Sequence, residues 1–398
     1  MPALRRDRPL AAWPLLGWAA LVAGVYALAT VATAWGTPPH VDAAMSTAAN
    51  LLRAGTPSIG FAPGANDTVT RGGATFHVIG LGPVLPYLAF VPFEALYAPS
   101  QWIVSLAFGV LAASLGWPLA SAYGLAGSRR RWFAVLVAFG TLVFPLSVRG
   151  DMYYLEHAEA MAATTVALIE WQGRRRAPVV GGALALAVLA RPTVLLAAVP
   201  MGLWMVWEAR SRVSAAAGLA VPLAAGLAAM GVWNLLRFGS PLESGYAIAQ
   251  LDNATLAALR REGVFSLAHV GPNLATLLGA GFGVRASFPW LVPSDWGQSI
   301  LLTTPALLVG VGAPWRQRTA QVMAAAALLV TAALLAYYGG AGWETYGYRY
   351  FLDATPFLLV LVAMAVRRRF GRLEQGLIAL SVALCGYGVL AGVLRLGA

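Results

Sequence analysis

The sequence predicts an all-α polytopic membrane protein, one transmembrane domain of about eleven spanning helices. Three observations carry that expectation. Of 398 residues, 59% are hydrophobic and only 11% charged, about half the charge of an ordinary soluble domain. The charges fall between apolar runs close to the ~20 residues that a helix needs to cross a ~30 Å hydrocarbon core. The basic residues are all arginine and gather in short runs beside those apolar segments, the pattern that orients membrane helices. The net charge of +11 is therefore read as membrane topology, with lipids as partners and no nucleic acid.

Arg5, Arg6 and Arg8 precede the first apolar run, Leu10 to Trp35. Small residues at Ala32 to Ala34 resemble a signal cleavage site, but the run is long enough to span and is read as an uncleaved helix with a cytoplasmic N-terminus. Breaking the later runs at charged and Gly/Pro-rich joints gives further spans at 101–126, 132–148, 152–171, 177–190, 193–208, 213–236, 299–313, 319–338, 350–366 and 374–395, after the first at 10–36. The stretch Leu81 to Ala98 contains Pro83, Pro86, Pro92 and Glu94. If it does not cross, the Arg groups at 5–8, 129–131, 174–176, 210–212, 316–318 and 367–372 share one side, so it is read as a re-entrant or juxtamembrane helix on the outer face. The run 177–208, broken at Arg191-Pro192, becomes a hairpin whose halves reach roughly 21 and 24 Å at 1.5 Å per residue. Its Arg191 tip is expected at outer headgroup depth.

Two outer loops result, at about 37–100 and 238–298, with no separate soluble domain. Val41 to Ala54 and Ser266 to Gly279 read as amphipathic helices able to lie on the membrane surface. Twelve of the 16 acidic residues fall on the outer side, so carboxylate chemistry is expected to face outward. The single cysteine, Cys385, rules out a disulfide framework or a cysteine metal site.

Asp42, in HVDAAMSTAANLLRAG, opens an amphipathic helix. A carboxylate beside an apolar roof has a raised proton affinity and can act as a general base; an Asp there also serves as an N-cap. RGDMYYLEHAEA places Asp151, Glu156, His157 and Glu159 at the outer end of a span, where ionisable groups usually line a cavity or complement the helix dipole. Arg191 in LARPT, Arg237 in WNLLRFGSP, Arg285 in FGVRASFPW and Arg349 in YGYRYFLD present donor forks that match phosphate oxygens. They could equally anchor to lipid headgroups or pair with Asp353 or Glu344. The chain has no Walker A loop, GxSxG elbow or HExxH pair, which weighs against nucleotide-driven transport and zinc hydrolysis.

Taken in order, these pieces resemble the GT-C superfamily of lipid-phosphosugar-dependent glycosyltransferases, particularly bacterial relatives of protein O-mannosyltransferases and aminoarabinose transferases, glycosyltransferase family 39. The resemblance runs over nearly the whole chain: Asp42 with AANLLRAG after it, the Pro-rich FHVIGLGPVLPYLAFVPF, RGDMYYLEHAEAMAA, LARPTVLL, WNLLRFGSPLESGY, FPWLVPSDWGQSILLTTPALL and GWETYGYRYFLDATPFLLVL. It implies an inverting transferase of the bacterial plasma membrane that takes a sugar from a polyprenyl-phosphate donor to a glycan, lipid or protein acceptor. Asp42 would be the base, Asp151 the second acidic residue, and Arg191 and Arg349 donor-phosphate contacts. Relatives often carry paired acids after the first span, whereas Ala43 and Ala44 follow Asp42, so Asp151 or Glu156 would have to assist it. The scheme requires no metal or cofactor, although an outer carboxylate pair could bind a divalent ion. A lipid flippase and a non-catalytic relative of the same fold are the alternatives; transporters tend to show internal repeats, and none is evident.

Overall fold

The computed structural model describes residues 12–38, 40–60 and 65–395; Arg5, Arg6 and Arg8 lie outside them. Within them the chain is helical, with two short antiparallel β-hairpins. Five helices are long and apolar enough to cross a membrane: Pro14–Ala34, Glu94–Ala122, Arg212–Phe238, Arg318–Ala336 and Arg372–Val393. Val213, Val221, Val232 and Leu236 on the third of these are each more than half exposed, an apolar surface of the kind a lipid environment covers.

The other expected spans take shorter or more polar forms. Met152–Gln172 has 21 residues and carries Glu156, His157 and Glu159 among its buried positions. Ala177–Ala190 and Leu195–Glu208 are 14-residue helices meeting at Arg191-Pro192, where proline removes a backbone donor and stops the first helix. The run at 132–148 is a Gly127–Phe139 helix interrupted after Gly140 and resumed as Val143–Ser147. The span expected at 299–313 needs correction. It is one α-turn, Ile300–Thr303, followed by a 3₁₀ segment, Pro305–Gly312. Pro305 removes an amide at the junction, and eight 3₁₀ residues rise only about 16 Å at ~2 Å each.

The prolines of 81–98 prevent one long helix, giving Leu81–Val84, Leu85–Phe90 and Glu94–Leu96 in short α and 3₁₀ pieces. Gly82 lets this segment pack backbone to backbone on the end of the Ala177–Ala190 helix: a Cβ there would lie 2.7 Å from the Ala190 amide nitrogen. The helix expected from Val41 to Ala54 forms at Ala43–Ala54. It does not lie on a surface, because Ala43, Ala44, Met45, Ala48 and Ala49 are buried in a cluster with Val84, Tyr87, Leu155 and Trp233. Ser266 to Gly279 forms Leu267–His269 and Val270–Gly279, with Leu267, Leu274 and Leu278 exposed.

Two of the arginine groups are brought together: Arg129 donates to the Arg367 carbonyl at 2.8 Å, and Gly124 abuts the Arg367 guanidinium. Arg175 of a third group pairs with Glu208. Asp151 and Glu156 line a cavity with residues from both expected loops, Asp67 and Tyr246 among them.

Candidate functional site

The site begins with a hairpin. In TVTRGGATFH, Gly72 and Gly73 both take positive φ (58° and 79°), the two-residue turn whose twist matches that of paired strands. Strand β1 (Thr68–Arg71) pairs with β2 (Ala74–His77), Thr68 opposite His77. Asp67, at the base, is in the left-handed region with φ 54°, which Asp tolerates better than most residues. Its amide donates to the Gln250 carbonyl at 2.8 Å and its carbonyl accepts from Val78 at 3.0 Å. These bonds join the two long loops at this corner.

Asp67 and Asp151 line a polar cavity of about 200 Å³ with Arg149, Tyr153, Glu156, Tyr246 and Arg349. Asp151 is aimed by the turn before it. Gly150 has φ 66° and lies so close to the Trp102 ring that a Cβ would overlap it, and Asp151 then caps the Met152–Gln172 helix by accepting from the Tyr153 amide at 2.8 Å. Arg349 stacks against Tyr153, Tyr154 and Tyr350 and donates to the Tyr350 hydroxyl at 3.0 Å. Its Nε is buried without a partner, and among the described residues it forms no ion pair with a carboxylate. Glycine at 342 leaves the room it needs, for a Cβ would sit 2.5 Å from Nε.

A second cavity, about 170 Å³ and mainly apolar, is lined by Val78, Leu189, Met230, Trp233, Phe265 and Leu334, with Arg191 and Arg237 in its wall. Glu156, Tyr246 and Tyr337 line both cavities, so the two adjoin. Between them and the helix core lies a buried ion network. Arg191 gives Nε to Asp353 at 3.0 Å and Nη1 to Glu156 at 2.5 Å. Asp353 also accepts from Thr193 Oγ1 at 2.6 Å and His157 Nδ1 at 2.9 Å.

No protein-family model matches the chain, and no curated protein or solved structure matches it.

The expected residues are therefore brought together only in part. Asp151, Glu156, Arg191, Arg237 and Arg349 border the two cavities. His157 is fully buried behind them in the ion network. Asp42 lines neither cavity: one oxygen accepts from the Met45 amide at 2.8 Å as helix cap and the other from Tyr87 at 2.7 Å. Burial raises its proton affinity, and nearby Asp151 adds to that rise. Arg285 is exposed on the hairpin of Gly283–Val284 and Leu291–Val292 and borders neither cavity. Arg191 has its fork taken by two carboxylates, and Arg237 gives its donors to the carbonyls of His77 and Ile79 at 2.5 and 2.7 Å and to Asn234 at 3.1 Å. Neither has the open fork expected of a phosphate ligand; Arg349 does. Asp67, His77, Tyr153 and Tyr246 escaped the sequence reading as site residues, although the Gly-Gly turn flanked by β-formers is a readable hairpin signal.

Proposed function

We propose that this chain is a membrane glycosyltransferase of the GT-C type that moves a sugar from a polyprenyl-phosphate donor to a hydroxyl acceptor. One observation carries the reading: an apolar cavity adjoins a polar one whose wall holds Arg349, without a carboxylate partner among the described residues, and the carboxylates of Asp67, Asp151, Glu156 and Glu344. A lipid-linked anionic sugar has the same division, with a hydrocarbon chain, a phosphate and a polar ring in sequence. In this reading the Arg129, Arg175 and Arg367 end faces the cytoplasm and the cavities open at the outer face.

The prenyl chain occupies the side lined by Leu189, Met230, Trp233 and Leu334, and the phosphate rests on Arg349. A cavity carboxylate takes the proton of the acceptor hydroxyl. The acceptor oxygen attacks the anomeric carbon from the face opposite the phosphate, and the old carbon–oxygen bond breaks with its electron pair on the departing polyprenyl phosphate. Configuration inverts. Arg349 stabilises the charge developing on the leaving phosphate, the contribution expected of donors preorganised in a site of low dielectric. Asp42, held by the Met45 amide and Tyr87, supports the helix beside the site, and the base role passes to a carboxylate that faces the cavity.

Purified protein in lipid nanodiscs should bind a polyprenyl phosphate at least tenfold more tightly than the uncharged polyprenol, and Arg349→Ala should remove most of that preference, since a charge-assisted hydrogen bond contributes about 1.5–3 kcal/mol. Equal binding of the two lipids, unaffected by Arg349→Ala, would remove the reading. Movement of the phosphorylated lipid across liposome membranes without glycoside formation would favour a flippase instead.

A further inference from the structure

A further cavity, larger than the two at the site, opens between the 3₁₀ segment Pro305–Gly312 and the helices Thr355–Arg368 and Arg372–Val393. Its volume of about 540 Å³ lies within the range of ligand pockets. The break at Pro305 creates it. The turn Ile300–Thr303 and the 3₁₀ segment together rise only about 22 Å, short of the ~30 Å hydrocarbon core that the neighbouring Arg372–Val393 helix is long enough to cross. The segment is seated tightly at first: the Ala306 amide donates to Ser381 Oγ at 2.9 Å, and a Cβ on Gly310 would lie 3.3 Å from Leu361 Cβ. At Gly312 the nearest atom to such a Cβ is Ala365 Cβ at 3.7 Å, an ordinary contact. The chain then turns, with the Gln317 amide donating to the Pro314 carbonyl at 2.8 Å, and leaves the space between Leu308, Ala365, Leu373 and Leu377 unfilled.

The lining has two characters. Leu308 is 47% and Leu373 65% exposed, so the apolar floor runs on to the outer surface of the helices. Arg368 and Arg369 stand in the same wall. Both are exposed, and among the described residues neither side chain makes a hydrogen bond; Arg369 only approaches Glu374, Nε to Oε1 at 3.6 Å. Glu374 is the carboxylate of this wall, and its other oxygen accepts from the Gly371 amide at 2.6 Å. Arg367 and Arg372 flank the pair in sequence, and Arg129 is bonded to the Arg367 carbonyl, so positive charge outweighs the carboxylate. Half-exposed Trp315 follows the segment, an aromatic of the kind that marks headgroup depth.

From this we infer that the cavity holds an anionic diacyl phospholipid, its phosphate between Arg368 and Arg369 and its chains on Leu308, Leu373 and Leu377. The guanidinium forks match phosphate oxygens, and the apolar floor, which a free phosphate would leave uncovered, calls for acyl chains. A zwitterionic lipid carries the same phosphate but brings an ammonium group among these arginines, so net charge sets the preference. In the orientation proposed above, the lipid belongs to the cytoplasmic leaflet, where anionic headgroups gather.

Native mass spectrometry of the full-length protein, released from nanodiscs of equal phosphatidylglycerol and phosphatidylethanolamine, reads the retained lipid without any substrate. Wild type should retain phosphatidylglycerol at least tenfold over phosphatidylethanolamine. Arg368→Gln with Arg369→Gln should lower that ratio about tenfold or more, since each arginine near an anionic headgroup gives roughly a fivefold preference. Gly312→Leu keeps every charge but fills the cavity, and should release the lipid equally; retention unchanged by it would put phosphatidylglycerol on the basic surface at large and overturn the site. Photo-crosslinking of the wild type needs no variant: phosphatidylglycerol with a diazirine in its acyl chain should label 308–312 and 373–377 ahead of other segments. Equal retention of the two lipids by wild type, or labelling spread evenly over the exposed helices, overturns the proposal. Neither readout involves glycosyl transfer or the orientation of the chain in the disc, so failure here leaves the transferase reading standing, and an inactive enzyme leaves the lipid result standing.

Discussion

Replacing Asp353 with alanine tests the ion network that holds the Arg191 turn against the Met152–Gln172 helix. Asp353 is 2% exposed and Arg191 7%, so water screens neither. The substitution removes the acceptor for Arg191 Nε, Thr193 Oγ1 and His157 Nδ1. Breaking a buried pair by deleting one member costs about 3–5 kcal/mol, mostly through the charge left uncompensated. Glu156, at 2.5 Å from Arg191 Nη1, keeps part of the compensation and places the expected loss near the lower end. Chemical unfolding of the detergent-purified protein, followed by tryptophan fluorescence, measures it. Arg191→Met, Glu156→Gln and Asp353→Leu together remove every charge of the network and should recover most of the loss, because packed apolar side chains often replace buried ion pairs without penalty. A loss below about 1 kcal/mol in Asp353→Ala, or a triple variant no better than the single one, would refute the reasoning.

Asp42→Ala should cost about 0.5–2 kcal/mol as a lost cap, whereas Asp42→Asn should cost little and leave the product of a transfer assay near wild-type levels; abolished transfer in a folded Asp42→Asn protein would restore Asp42 as base. Gly82→Val should lower the unfolding midpoint, because its Cβ meets Ala190 backbone at 2.7 Å; an unchanged midpoint would show that the packing of 80–84 on the Arg191 hairpin is looser than described. His77 is held neutral in the folded chain with its pKa lowered to about 3, so its contribution to stability is present above the unfolded value near 6.5 and is lost as pH falls through the window below it. Its slope there approaches about 1.4 kcal/mol per pH unit, and His77→Gln should flatten the wild-type dependence between pH 6.5 and 4.

Composition and arginine placement were enough to read a helical chain with membrane-length segments, because length and hydropathy are local quantities. Helix lengths were less legible. Pro305 and Gly140 break apolar runs that hydropathy alone joins, and whether a proline is absorbed or ends the helix depends on what packs around it. The Ala43–Ala54 helix was readable from its periodicity, yet the side that its apolar face covers was set by Tyr87 and Val84 from a segment dozens of residues away. At the site, Asp151, Glu156 and Arg349 stood out as charges beside apolar runs. Asp67 did not, since its place in the cavity arises from a backbone corner that is not visible in a string of polar loop residues. Arg191 and Asp353 carried the opposite lesson: a conspicuous arginine acquires its role from a partner 162 positions later.

The most direct measurement of the central claim is glycoside formation by the purified protein from polyprenyl-phosphate hexose, pentose and amino-sugar donors, comparing wild type with Arg349→Ala and with Asp67→Asn combined with Asp151→Asn. Transfer with inversion by the wild type, weakened donor binding in Arg349→Ala, and loss of transfer with donor binding retained in the double carboxylate variant is the predicted result. Donor binding unchanged in Arg349→Ala, or undiminished transfer by the Asp67 and Asp151 double variant, would contradict it.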